Sequence, residues 1–141
     1  MAGPAHGAVF AVSADGGTVT EQRLSLGKWG EEQAARFLRR SRIKVVARNL
    51  RTPVGEIDII ARQGKTLIFA EVKTRRGAGY GAPQEAVGPT KQRQILRAAS
   101  WYLNEQGLHE LQPRFDVLAV RVVNDQAQIE HITDAFGLPD I

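Results

Sequence analysis

Apolar residues recur along the chain with two different periods, and their alternation predicts the order of helices and strands. Spacings of three and four residues predict one helix over residues 26–40 and a second from Pro89 or Thr90 to about Gln106. Short β-branched or alternating runs predict strands. These runs span residues 43–47, 54–62, 66–74, 115–123 and 127–132. The resulting order, αβββαββ, predicts a single α/β domain with a central mixed β-sheet flanked by helices.

The regions outside these elements predict where the folded domain begins and ends. Residues 1–24 are rich in Gly, Ala, Ser and Thr without sustained periodicity, which predicts a flexible N-terminal extension. The domain is expected to span residues 25–134, with Ser25 as the N-cap of the first helix. Residues 135–141 are expected to form a C-terminal tail. Inside the domain, a short helix start is predicted at residues 83–87.

The turn Gln63-Gly64-Lys65 predicts that the strands on either side of it form an antiparallel hairpin. Because side chains alternate between faces of a strand, Asp58 shares its face with Glu56, and Ile57 and Ile59 point to the other. On the next strand Glu71 shares a face with Lys73. Two carboxylates brought about 4 Å apart repel by roughly 4 kcal/mol at an effective dielectric near 20, and a divalent cation between them reverses that sign. The alternative is an exposed strand face with a cross-strand salt bridge.

Composition narrows the chemistry that such a site could perform. The chain has no cysteine and three histidines, which excludes disulfides and thiolate metal sites and disfavours a Ser-His-Asp triad. Carboxylates should therefore hold any metal, which favours Mg²⁺ or Mn²⁺. No apolar run approaches the roughly 20 residues of a membrane span. The run at residues 8–12 follows no basic segment, so we expect no signal peptide and a cytoplasmic protein.

Positive charge is concentrated in one part of the chain. The segment from Arg23 to Arg97 contains 17 of the 19 lysines and arginines and six acids, so it carries +11 whereas the rest carries −7. A basic segment with a few embedded acids suits a polyanionic partner such as nucleic acid. The alternative is a solvated basic surface.

Several short sequence motifs resemble those of a known family. Asp58, a gap of twelve residues, and then Glu71-Val72-Lys73 are similar to the D…ExK core of the PD-(D/E)XK nuclease superfamily. The flanking segments are similar to those of the YraN-like family, which resembles archaeal Holliday junction resolvases. These segments are Gly27-Lys28-Trp29-Gly30-Glu31, Arg48-Asn49-Leu50-Arg51, Gly55-Glu56-Ile57-Asp58-Ile59-Ile60-Ala61 and Phe69-Ala70-Glu71-Val72-Lys73-Thr74-Arg75. The resemblance runs from about Leu26 to Val120 and implies a restriction-endonuclease- or resolvase-like fold.

The resemblance implies roles for individual residues. Asp58 and Glu71 would bind the metal, with the Val72 carbonyl as a further ligand. Lys73 would orient or activate the attacking water and stabilise charge on the phosphate. Glu31, on the first helix, would complete the catalytic set as an accessory acid.

Other polar residues are predicted to bind nucleic acid or to have a structural role, rather than to take part in catalysis. The residues predicted to contact nucleic acid are Arg48, Arg51, Arg75, Arg76, Gln84 and Lys91. Glu56 is interpreted as structural. Asp116 lies between apolar neighbours on a buried strand, so we expect it to meet a backbone amide or a basic partner.

These observations leave three hypotheses. The first is an endonuclease, dependent on Mg²⁺ or Mn²⁺, that hydrolyses DNA rather than RNA and acts on branched or single-stranded structure. The second is a non-catalytic nucleic-acid-binding module of the same fold. The third is an interaction protein whose basic face serves a protein partner. A homodimer stays open, because resolvase-like folds often work as pairs.

Overall fold

A computed structural model describes residues 6–11, 19–77 and 87–137. The elements are β1 (His6–Ala11), α1 (Val19–Arg40), β2 (Lys44–Thr52), β3 (Gly55–Gln63), β4 (Thr66–Arg76), α2 (Pro89–Gln106), β5 (Gln112–Val123) and β6 (Gln126–Phe136). From α1 to β6 the order is the predicted αβββαββ. The short helix predicted at residues 83–87 lies, except for Val87, outside the described residues.

The strands form one mixed sheet in the order β1-β6-β5-β4-β3-β2. Only β4 and β5 are parallel; the other described neighbours are antiparallel. A parallel pair needs a long crossover, and α2 lies in the chain between β4 and β5. The prediction of a single α/β domain with a mixed sheet flanked by helices is therefore confirmed.

The two ends of the chain contain more regular structure than the sequence pattern predicted. His6–Ala11 pairs with β6, and α1 begins at Val19 rather than near Ser25. These two segments lie within residues 1–24, for which the sequence predicted a flexible extension. Ala135 and Phe136, assigned to the tail, belong to β6, where the Phe136 ring stacks on Phe115 at 5.5 Å. The edge strand β1 and the beginning of α1 are formed by backbone hydrogen bonds. Such bonds do not require a periodic pattern of apolar side chains, so the sequence pattern did not predict these segments.

Each face of the sheet packs against one helix. On the α1 side, a core that includes Ala34 and Leu38 covers sheet residues such as Ile59 and Ile68. On the α2 side, a core that includes Ile95 covers Phe69 and its neighbours. We call these the α1-side core and the α2-side core. Among the described residues, no helix is long and apolar enough to cross a membrane.

A buried acid stabilises the far end of the sheet. Asp116 is fully buried and accepts two hydrogen bonds from the Arg114 guanidinium, at 2.9 and 2.8 Å. Its carboxylate also lies 2.8 Å from His131 Nε2 and accepts the Asp134 N–H at 3.0 Å. Asp134 has a left-handed backbone (φ 53°) where the β5–β6 register shifts. The expectation that Asp116 meets a backbone amide or a basic partner is confirmed, since it contacts both.

Candidate active site

Strands β3 and β4 form the predicted hairpin, but their pairing extends only from the turn to Ile59 opposite Ala70. Beyond that level β3 continues to pair with β2, and β4 continues to pair with β5. The two strands therefore separate, and Asp58 and Glu71 are the first residues past the last pair. This gap in the sheet is the point where the sequence predicted the site.

The side chain of Asp58 acts where backbone pairing ends. Its Oδ2 atom accepts a hydrogen bond from the Val72 N–H at 2.9 Å, which satisfies a donor that the separation would otherwise leave unpaired. The strand also bends here, because Ile57 packs in the α2-side core whereas Ile59 packs in the α1-side core. The expectation that these isoleucines share one face is wrong, since strict alternation holds only along a regular strand.

Glu71 is a buried acid held between two lysines. Its side chain is 5% exposed, and its Oε1 atom lies 3.6 Å from Lys73 Nζ and 3.8 Å from Lys91 Nζ. Burial, followed by the charge of Asp58, raises the pKa of Glu71 to about 7, although both lysines oppose the shift. The ionised form of such an acid is unfavourable unless a cation neutralises it.

Glu31 reaches Asp58 from α1. The preceding residue, Gly30, lies so close to Thr74 of β4 that a Cβ atom at position 30 would collide with the Thr74 side chain. This close approach brings the middle of α1 over the separated strands. Burial, followed by repulsion from Asp58, raises the pKa of Glu31, while hydrogen bonding to Asn49 lowers it. The structure thus brings Glu31 and Glu71 each within electrostatic reach of Asp58, from α1 and from β4.

A cleft of about 430 Å³ opens beside Asp58, between α1 and strands β2 and β3. Its lining combines both signs of charge and one amide: Lys28, Glu31, Asn49, Arg51, Glu56 and Asp58, together with Gly27 and Ile57. Its volume falls within the range of about 300–1,000 Å³ that is usual for small-molecule sites.

Two of the predicted nucleic-acid contacts are engaged within the protein. Arg48 Nη1 lies 2.8 Å from Glu32 Oε2, so this arginine ties β2 to α1. Arg51 forms a 3.4 Å ion pair with Glu56, and both side chains are largely exposed. An exposed pair of this kind contributes little to stability, so Arg51 can exchange its partner for a phosphate more easily than Arg48 can.

The remaining predicted contacts differ in position. Arg75 and Arg76 lie at the exposed end of β4. Lys91 lies in the first turn of α2 and points at Glu71, which places it at the predicted active site. Gln84 lies outside the described residues. The binding of nucleic acid by these residues stays a prediction.

The residues at the strand separation fit a hard divalent cation. Within the described parts of the chain, no three or more His, Asp or Glu side chains form a group that could hold a metal. The predicted set needs only two carboxylates, Asp58 and Glu71, and the Val72 carbonyl. Oxygen ligands suit Mg²⁺ and Mn²⁺. Burial and the charge of Asp58 raise the pKa of Glu71 even beside two lysines, and a divalent cation would favour the ionised carboxylate. Metal binding by this set stays a prediction.

Comparison with known proteins identifies the family. The sequence model of the family described as "Uncharacterised protein family UPF0102" matches residues 30–120 of this chain. A UPF0102 protein of Syntrophotalea carbinolica is 64% identical over 120 residues, covering 85% of this chain and 98% of that relative. A UPF0102 protein of Geobacter sulfurreducens is 54% identical over 114 residues, covering 80% and 89%. One from Rhodococcus jostii is 49% identical over 114 residues, covering 80% and 97%. The resemblance to the YraN-like family is confirmed at this level: the chain belongs to the UPF0102 family.

Proposed function

We propose that this protein is a divalent-metal-dependent endonuclease that hydrolyses DNA phosphodiester bonds. The observation that carries the proposal is the environment of Glu71. It is a buried carboxyl group, next to Asp58, with two lysine ammonium groups within 4 Å of one oxygen. A pair of acids in this environment is costly unless it holds a cation, and cations flanking the acids suit a phosphate. The superfamily resemblance of the D…ExK pattern supports the same reaction.

The chain's own residues supply positioning and charge. Asp58, Glu71 and the Val72 carbonyl would hold Mg²⁺ or Mn²⁺. When bound, such an ion polarises the phosphate and promotes ionisation of the attacking water. Lys73 would orient that water and stabilise negative charge on the phosphate. Lys91, from the opposite element, would bind a second phosphate oxygen. Glu31 would act as the accessory acid from across the cleft.

The proposed substrate follows from the charge distribution and from the resemblance. The basic segment supports a nucleic acid, and the resolvase-like resemblance supports branched or single-stranded DNA. A cytoplasmic location and a homodimer belong to the same proposal.

The test is cleavage by the purified full-length protein. Linear, single-stranded and four-way-junction DNA are incubated with the protein in Mg²⁺, Mn²⁺ or EDTA. We expect metal-dependent cleavage that is lost in Asp58→Asn, Glu71→Gln and Lys73→Gln. Lys65→Gln, which changes an exposed lysine in the β3–β4 turn, is the matched control and should retain activity.

Two results would reject the proposal. Equal cleavage by the wild type and the three active-site variants would identify a contaminating nuclease. Binding of DNA without cleavage, under every metal condition, would instead favour the non-catalytic binding module.

A further inference from the structure

Asn49 has an unusual backbone for its position. Its φ is 51°, in the left-handed region, although it lies inside strand β2. The paired positions on β2 and β3 include Arg48 opposite Ile59 and Leu50 opposite Ile57, but Asn49 does not pair with Asp58. Left-handed residues inside strands are rare outside glycine, and asparagine is among the few that tolerate this conformation.

The other left-handed residues that are not glycine each have a local cause. Arg42 lies in the turn after α1, and Asn124 and Asp125 form the β5–β6 turn. Asp134 lies where the β5–β6 register shifts, and its N–H is bound by Asp116. Asn49 is in neither a turn nor a loop. A backbone outlier without a local cause is a reason to look for a functional one.

The surroundings of Asn49 indicate what that function is. Asn49 lines the cleft together with Glu31 and Asp58, and hydrogen bonding from its side chain lowers the pKa of the Glu31 carboxyl group. The neighbouring residues are also in contact: Arg48, which precedes Asn49, lies 2.8 Å from Glu32, which follows Glu31. Two successive residues of β2 therefore contact two successive residues of α1.

We propose that Asn49 is a positioning residue of the active site, whose left-handed backbone directs its carboxamide into the cleft to hold Glu31 facing Asp58. The inference rests on the proposed nuclease function and adds a member that the D…ExK core does not contain. Regular strand geometry at position 49 would restore pairing with Asp58 but would turn the amide to another direction. The interruption of the ladder is thus the structural cost of orienting Glu31.

The contact itself can be tested without any activity. In a ¹H–¹⁵N spectrum of the metal-free protein, the side-chain amide of Asn49 is assigned by its loss in Asn49→Gly. Glu31→Gln should shift this amide resonance and leave that of Asn124 unchanged. An Asn49 amide that does not respond to Glu31→Gln would overturn the inference.

The catalytic consequence is tested with three variants. Asn49→Gly keeps the left-handed backbone accessible but removes the amide, and Asn49→Asp replaces the NH₂ donor with a carboxylate that repels Glu31. Both should lower kcat on the order of 10–100-fold, as loss of an orienting partner does, with KM for DNA little changed. Asn124→Gly makes the same change at φ 52° in the β5–β6 turn and should leave kcat unchanged.

A double-mutant cycle separates positioning from a general structural effect. If Asn49 acts through Glu31, then Asn49→Gly added to Glu31→Ala should cause no further loss of kcat. Fully additive losses in an active enzyme would overturn the inference and leave the nuclease proposal intact. If the wild type cleaves no nucleic acid with any metal, the nuclease function fails and the catalytic role of Asn49 fails with it.

Discussion

The Asp58 carboxylate accepts a hydrogen bond from the Val72 N–H at 2.9 Å, at the level where β3 and β4 stop pairing. This contact closes the end of the ladder and fixes one acid beside another, because Glu71 immediately precedes Val72. Asparagine can accept the same hydrogen bond through its amide oxygen without the charge. The backbone role and the electrostatic role of Asp58 are therefore separable by substitution.

The buried charge of Glu71 should make stability depend on pH in metal-free buffer. The folded pKa is about 7 and the ordinary value is 4.5. The contribution of this group to stability is therefore fully present below about pH 4.5 and is lost as pH rises through 7. Glu71→Gln should therefore raise the free energy of unfolding above pH 7 by up to about 3 kcal/mol. Urea denaturation with EDTA, at pH 4.5 and 8, measures the difference.

The matched control for this prediction is Glu110→Gln, since Glu110 is exposed. Its unfolding free energy should follow that of the wild type at both pH values. A stabilisation by Glu71→Gln that is equally large at pH 4.5 and pH 8 would show that the charge of Glu71 is not its cause.

Divalent cations should stabilise the protein, and more strongly at higher pH. Binding at 100 times Kd contributes about 2.7 kcal/mol to the folded state. Because the ion must displace the Glu71 proton, its affinity should rise as pH increases through about 7. Thermal unfolding and calorimetric titration with Mn²⁺ at pH 6 and 8 measure both effects. Asp58→Asn and Glu71→Gln should abolish them, and an undiminished response in both variants would place the ion elsewhere.

The contact between Gly30 and Thr74 should make position 30 intolerant of a methyl group. Gly30→Ala forces the Thr74 side chain or α1 to move, and overpacking of this kind costs about 1–3 kcal/mol. Because Glu31 follows directly, cleavage should fall as well. Gly27→Ala, in the same helix with no atom near the added Cβ, should be neutral or stabilise by up to about 1 kcal/mol.

A second substitution provides the check on that mechanism. Thr74→Ala removes Oγ1 and Cγ2, two of the three Thr74 atoms that the new methyl group would meet. Gly30→Ala combined with Thr74→Ala should therefore recover part of the lost stability. No recovery in chemical denaturation would mean that the contact is not the cause.

The Asp116 cluster should be essential for stability. Asp116→Ala leaves the Arg114 guanidinium and the Asp134 N–H without their acceptor, and breaking a buried charge pair typically costs about 3–5 kcal/mol. Burial opposes ionisation of Asp116, but hydrogen bonds from His131, Arg114 and the Asp134 backbone hold its pKa below 3.8. This contribution is therefore present above pH 3.8 and is lost as pH falls through the folded pKa.

Acid unfolding compared with unfolding at neutral pH measures this contribution. The wild type should lose the advantage over Asp116→Ala as the pH falls below 3.8. Asp125→Asn, in the exposed β5–β6 turn, is the control and should stay within about 0.5 kcal/mol of wild type.

Salt dependence should distinguish a phosphate contact from a structural arginine. If Arg76, exposed at the end of β4, neutralises one DNA phosphate, Arg76→Gln should reduce the slope of log affinity against log salt by about 0.9. Arg48→Gln should leave that slope unchanged and lower stability, because Arg48 is paired with Glu32. Fluorescence anisotropy with a labelled oligonucleotide at several salt concentrations measures the slopes, and equal slopes for all three proteins would exclude Arg76 as a contact.

Local patterns in the sequence determined the elements of the domain. The apolar periods predicted that α2 starts at Pro89 or Thr90 and ends at about Gln106, and the turn at Gly64 predicted the β3–β4 hairpin. Both features depend on neighbours within a few residues. The acids Asp58 and Glu71 could be assigned to one hairpin for the same reason. The edge strand β1 and the first turn of α1 show no periodic pattern of apolar residues. Only their backbone hydrogen bonds define them.

Only the tertiary structure decided how the site is completed. No local pattern predicts that α2 brings Lys91 to Glu71, that Arg48 is paired with Glu32, or that Asn49 leaves the strand geometry to face Glu31. These relationships join elements distant in sequence, and they depend on how far β3 and β4 separate and how closely Gly30 lets α1 approach. Sequence therefore determined which acids are present, whereas packing between elements determined their charge environment and their partners.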